Sequence, residues 1–194
     1  MTIPTLLRRV SIATPRYVTV DGQVVLSEGA PQQSPAYAVR PHKFHDGPEP
    51  ETPGDGLDAW WKNDDEWDAD RNDMARWFPQ FVPMDEGGDR FYLGQVDSGR
   101  GRFSLAVLPW PDKSIPRIAV LQPKTLGRSA GKDFIKPPHL YLSGALCLAD
   151  KDDWKSGYST AVAVGWAAHW LACYTEWRMN GGVWPSDGYV PLAS

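Results

Sequence analysis

Two periods alternate along the chain. From Leu57 to Phe78, the positions Trp60, Asp64, Trp67, Arg71, Met74 and Phe78 mark one stripe at steps of three and four, which predicts a helix with a mostly large, apolar face. A second helix is plainer still. Trp166, His169, Trp170, Cys173, Tyr174 and Trp177 fall at successive turns of one face, and Asn180-Gly181-Gly182 closes it. Between the two helices the pattern shortens to β-rich runs at Phe91 to Val96, Arg102 to Leu108 and Arg117 to Leu121. Asp97-Ser98-Gly99 turns the first run into the second, so these predict an antiparallel meander. Pro109, Pro111, Pro116, Pro123, Pro137 and Pro138 forbid a long helix in the stretch that follows, and Lys124 to Lys136 reads as a flexible loop.

Nearer the N-terminus, Tyr17 to Val20 and Gln23 to Leu26 flank Asp21-Gly22, a strong local hairpin signal. Ser27 to Gly56 is dense in Pro and Gly and reads as a loop laid over the surface. All ten Trp lie between Trp60 and Trp184, which places the expected core in the C-terminal two-thirds. The elements sum to an α+β class. Residues 1–56 form a hairpin with a Pro-rich extension, and residues 57–194 form the domain.

Composition narrows the function. At 194 residues there is room for one domain of ordinary size. A net charge of -4 with no run of Lys and Arg argues against nucleic acid as a partner. Much of that acidity lies in Leu57 to Phe78, expected as a solvated face opposite an aromatic seam packed on a sheet; a partner-docking face is the alternative. Two cysteines, Cys147 and Cys173, rule out a disulfide scaffold and a four-cysteine zinc module. The longest apolar runs reach about half of the ~20 residues that a membrane span needs, and no signal peptide is visible. A cytoplasmic protein with reduced thiols, no membrane partner, no metal and no cofactor is expected.

The candidate chemistry gathers in Pro138-His139-Leu140-Tyr141-Leu142-Ser143-Gly144-Ala145-Leu146-Cys147-Leu148. Cys147 follows a Gly144 turn by three residues, and a cysteine needs exposure and a positive or polar neighbourhood to serve as a thiolate. His139, eight residues upstream, is placed to face it across the loop. Taken as residues alone, Leu146-Cys147-Leu148 equally fits a short buried strand with Cys as a small hydrophobe. Asp150, closest of the acids in Asp150-Lys151-Asp152-Asp153, is a candidate to orient an incoming amine, against the simpler reading of a solvated turn. His42-x-x-His45 lacks a third ligand nearby and reads as surface loop. His169 and Cys173 share a helix face but sit among Trp side chains, as a packed seam would.

The order Phe103 to Pro109, Pro116 with Arg117 to Leu121, His139, Gly144-Ala145-Leu146-Cys147-Leu148 and Trp154 resembles the ubiquitin-conjugating enzymes. The stretch through Trp170-Leu171, Tyr174, Glu176-Trp177 and Gly182-Val183-Trp184-Pro185 is similar to their bacterial members in antiphage operons, of the CBASS type and of the bacterial ubiquitin-like conjugation type. The resemblance spans about Leu57 to Tyr189. It implies a ubiquitin-conjugating enzyme-like fold with an irregular active-site loop bearing Tyr141, Gly144 and Trp154. It also implies thioester chemistry at Cys147: the thiol accepts the C-terminal acyl group of a ubiquitin-like modifier, or of a nucleotidyltransferase. That group comes from a possible activating enzyme and passes to a lysine on a protein target. Tyr141 stands where the family has Asn in His-Pro-Asn, so oxyanion stabilisation is left unassigned; His139 is counted with Cys147 and Asp150 among the catalytic residues, expected to brace the loop, with a general base as the alternative. An inactive binding module and a cysteine hydrolase using Cys147 with His139 or His169 are the alternatives.

Overall fold

The computed structural model describes residues 15–26, 35–51 and 58–189. β1 (Arg16–Thr19) and β2 (Val24–Leu26) pair antiparallel around Asp21-Gly22, where Gly22 takes the positive φ that the turn requires. The Pro-rich segment does not simply lie over the surface. Residues Ala36–Ala38 form β3, which pairs with the free edge of β1, and His42–Lys43 form β4. Tyr37, Val39, His42 and Phe44 are buried, and Val18, Val24, Tyr37 and Val39 belong to the main core. The core therefore reaches well beyond the Trp-bearing two-thirds of the chain, because Val, Tyr and Phe carry it there.

The helix expected over Leu57 to Phe78 is interrupted. A 3-10 turn, Trp60–Lys62, leads into α1 (Asp64–Trp77) through extended backbone at Asn63, whose side chain accepts from the backbone N–H groups of Asp65 and Glu66. Asp64, Asp65 and Glu66 sit in the first turn, where the helix dipole favours acids. Leu57 lies outside the described residues. The inward face is Trp67, Asp70, Met74 and Phe78, while Asp64 and Arg71 point outward and close ion pairs. Trp67 packs on Tyr92, ring centroids 5.1 Å apart. Trp67→Ala is expected to cost about 3 kcal/mol, and an unchanged melting curve would turn that face into a docking surface.

The meander appears with one more strand than the sequence indicated: β5 (Val82–Glu86), β6 (Asp89–Asp97), β7 (Arg102–Leu108) and β8 (Arg117–Gln122) run in that order, all antiparallel. β5 is exposed along its length, so it carries no alternating apolar signal. Lys124 to Lys136, expected as a flexible loop, contains a hairpin of β9 (Arg128–Ala130) and β10 (Asp133–Ile135) around Gly131.

α2 (Thr160–Met179) is the axis of the fold, and its residues from Thr160 to Trp177 are all buried. A helix apolar on every side belongs inside, not on one seam. Tyr37 of β3 rests against it at Gly165, where an added Cβ would meet the ring at 3.0 Å, and Phe103 of β7 meets Tyr174 at 5.9 Å. α1 supplies its N-terminal cap. Asp70 accepts from Thr160 N at 2.7 Å and from the Tyr92 hydroxyl at 2.7 Å, and Asp73 accepts from Ser159 Oγ. β11 (Gly188–Tyr189) returns to pair with β4.

Candidate active site

Residues 139–147 fold as a tight antiparallel hairpin. Cys147 N donates to His139 O, Leu140 bridges Leu146, and Tyr141 N donates to Ala145 O. Gly144 closes the turn at φ +87°, donating to Tyr141 O at 2.9 Å, and Leu142 at the tip is 97 % exposed. The base is pinned to β8 by Leu146 N to Ile118 O and to α2 by Trp170 Nε1 to His139 O at 2.8 Å. His139 itself holds a left-handed backbone, φ +54°, uncommon outside Gly.

Cys147 is not the exposed thiol that the loop pattern suggested, being only 1 % accessible. What covers it is the segment after β4. Cys147 Sγ donates to His45 O at 2.8 Å, and His139 Nδ1 lies 3.2 Å from that same oxygen and 2.7 Å from an Asp46 carboxylate oxygen. Glu49 takes Ser143 Oγ at 2.7 Å and Arg117 at 3.2 Å, while His45 pairs with Asp150. Nor is the neighbourhood positive. Burial pushes the Cys147 thiol up to about 11; the Tyr141 hydroxyl, hydrogen-bonded to the sulfur, opposes this, and Asp46, Asp150 and Glu49 add to it. In this closed arrangement Cys147 is a thiol at neutral pH.

The remaining residues of the expected site fall around this hairpin. Asp150 caps no helix by its side chain but pairs with His45, its charge acts on the cysteine, and its backbone N–H donates to Lys43 O. Trp154 supports the following turn, donating to Lys113 O at 2.7 Å and packing edge-on against Trp166. Beside the hairpin opens a cavity of about 590 Å³, bounded by Tyr141, Leu146, Leu148, Ile115, Asp150 and Glu49. His45, Asp46, Glu49 and Arg117 were missed in the sequence, because nothing local ties residue 45 to residue 147.

His42-x-x-His45 is not a surface loop. His42 is buried, stacked on Trp166 at 5.1 Å, and its Nε2 faces His169 Nδ1 at 3.2 Å. His42 Nδ1 lies 2.9 Å from Arg40 O, which assigns its proton to that nitrogen and leaves Nε2 to accept from His169. Cys173 is packed in α2 with no exposure, as its seam position implied. Among the described residues, no three His, Cys, Asp or Glu side chains come together as a metal site. No helix there is long and apolar enough to cross a membrane.

The buried histidines predict acid sensitivity. Burial, with Arg16 nearby, pushes His42 down to about 4, and burial holds His169 well below the usual imidazole value. Both are neutral in the fold but protonate in the unfolded chain below about pH 6.5. Their stabilisation is therefore complete above that pH and is lost as pH falls toward 4, by up to about 1.4 kcal/mol per unit for each. Asp70, pushed up by burial, acts in the opposite sense and is common to both chains in a comparison with His42→Asn. The variant should lose less stability between pH 6.5 and 4 in denaturant titrations. Parallel curves would contradict the assignment.

One of three comparisons with known proteins gave a match. A family model described as Type II CBASS E2 protein matches residues 70–191, more than half of the chain. The chain belongs to that family. The match contains the 139–147 hairpin, Asp150 and Trp154, and begins after the segment that covers Cys147. The comparison with curated proteins and the comparison with solved structures each gave no match.

Proposed function

We propose that this Type II CBASS E2 protein has a ubiquitin-conjugating enzyme-like fold and works by acyl transfer through Cys147 in bacterial antiviral defence. The Cys147 thiolate attacks the activated C-terminal carbonyl of a ubiquitin-like modifier or a nucleotidyltransferase, expelling the group that activated it and leaving a thioester. A target amine then attacks the same carbonyl and gives up a proton, and the Cys147 thiolate leaves. Sulfur suits both steps, as nucleophile and as leaving group. The observation that carries this reading is a carbonyl oxygen held against the sulfur. Cys147 Sγ and His139 Nδ1 converge on His45 O, at 2.8 and 3.2 Å. In this reading His139 braces the hairpin and presents a donor, Tyr141 stabilises charge on the sulfur, and Asp150 orients the amine at the edge of the cavity.

The burial of Cys147 favours one other reading, an inactive module that binds its partner without bonding to it. A hydrolase is less well supported, since the hydrogen-bond partners of Cys147 Sγ are the His45 backbone carbonyl and the Tyr141 phenol, with no imidazole among them. One assay separates the three. The protein is incubated with activating enzyme, donor and ATP and run on a non-reducing gel. A thiol-sensitive adduct mapped to Cys147 is the expected result. Donor bound without an adduct means the module, and donor cleaved without an adduct means the hydrolase.

A further inference from the structure

We propose that His45–Glu49 is an internal stand-in for the donor's C-terminal tail: it occupies the groove over Cys147 that an extended, acyl-bearing peptide enters, and the tail displaces it. The proposal rests on the acyl-transfer reading of Cys147.

Four observations converge. The His45 carbonyl oxygen lies within hydrogen-bond reach of the Cys147 sulfur and of a second donor, His139 Nδ1, so the groove accommodates a peptide carbonyl beside the nucleophile. The side chains that follow mark out a track away from the sulfur. Asp46 meets His139, and Glu49 meets Ser143 and Arg117, so this side of the groove offers donors to an extended ligand's carbonyls or carboxylates. The segment's own backbone makes few ties beyond His45. Among the described residues, no backbone-to-backbone hydrogen bond involves 45–49; past the His45 carbonyl, which the buried Cys147 and His139 hold, the ties of Asp46 and Glu49 are side-chain contacts made by carboxylates that reach solvent, which are weak in water. Its N-terminal end, by contrast, is fixed. Phe44 packs against His139, His169 and Trp184, and Phe44 N donates to Asp187 O.

That asymmetry sets the direction of the ligand. With Phe44 anchored, the side that opens is the one now filled by Asp46 to Glu49. A donor tail placing its terminal carbonyl at the His45 position must therefore run opposite in sense to the covering segment. Removal of the segment also takes Asp46 and Glu49 away from the sulfur, so opening and activation of the thiol coincide.

The test compares the full chain with the double variant Asp46→Ala, Glu49→Ala. Iodoacetamide labelling of Cys147 is followed by peptide mass, with Cys173 as the internal reference. The variant should label at Cys147 at least tenfold faster, with an unchanged melting temperature and unchanged Cys173. A synthetic peptide of residues 43–51 added in trans should slow that labelling again, and thioester formation with donor should be faster in the variant. Unchanged Cys147 labelling alongside normal thioester formation overturns this proposal alone, as does a peptide without effect. Faster labelling with no thioester from either protein overturns the acyl-transfer reading, and this proposal with it.

Discussion

Cys147→Ser is expected to abolish the thiol-sensitive adduct completely, leaving at most a slowly formed oxyester that hydroxylamine cleaves. A serine hydroxyl is a far weaker nucleophile near neutral pH and a poorer leaving group than a thiol. The same substitution at Cys173 should leave the adduct in place. Cys173 has no solvent exposure inside α2, and burial pushes its thiol well above the ordinary value. Its replacement by Ser buries a hydroxyl among apolar side chains, at a cost of about 1–3 kcal/mol. Non-reducing gels report the adduct, and melting curves report the cost. An adduct that survives Cys147→Ser and vanishes with Cys173→Ser would reverse the assignment.

Trp170→Ala is expected to be the most destabilising single change, at about 3–5 kcal/mol. The side chain is fully buried, stacked on Tyr174 with centroids 5.6 Å apart and packed against Trp184 at 5.4 Å. Its Nε1–H also holds His139 O at 2.8 Å, so the substitution leaves the base of the 139–147 hairpin without that brace. For a domain of this size the loss corresponds to a fall in Tm of roughly 6–20 °C. Trp170→Phe keeps most of the ring burial and removes only the donor. It should cost less stability than Ala, yet still speed iodoacetamide labelling of Cys147, because the hairpin is released in both. A phenylalanine variant that labels at the parental rate would confine Trp170 to packing.

Local signals read well wherever neighbours in sequence set the structure. The Asp21-Gly22 hairpin, the run Arg102–Leu108 and the stop at Asn180-Gly181-Gly182 each depend on residues a few places apart. The helix expected over Leu57 to Phe78 failed at Asn63, which caps α1 from outside it, and the stripe was read one step off at Asp64 and Arg71. A stripe at three- and four-residue steps that includes Arg71 does not reveal that Asp70, the residue before it, is the buried one. Its carboxylate finds Tyr92 and Thr160, which are 22 and 90 positions away.

The site divides along the same line. The sequence by itself determined the α+β class, three strands of the meander, the last helix with its packed seam and the turn at Gly144, whereas the loop expected as irregular folds as the 139–147 hairpin. Periodicity and turn chemistry are local, and each residue's preference is felt within a turn or two of the chain. Only the tertiary structure decided that Cys147 is covered, that His42 is core, and that His45, Asp46 and Glu49 belong to the site. His45 meets Cys147 across 102 positions, and Glu49 meets Ser143 across 94. Such contacts carry no period and follow no spacing rule. They exist because Phe44 is drawn into the aromatic cluster of His139, His169 and Trp184, and that burial sets the five residues after it across the sulfur.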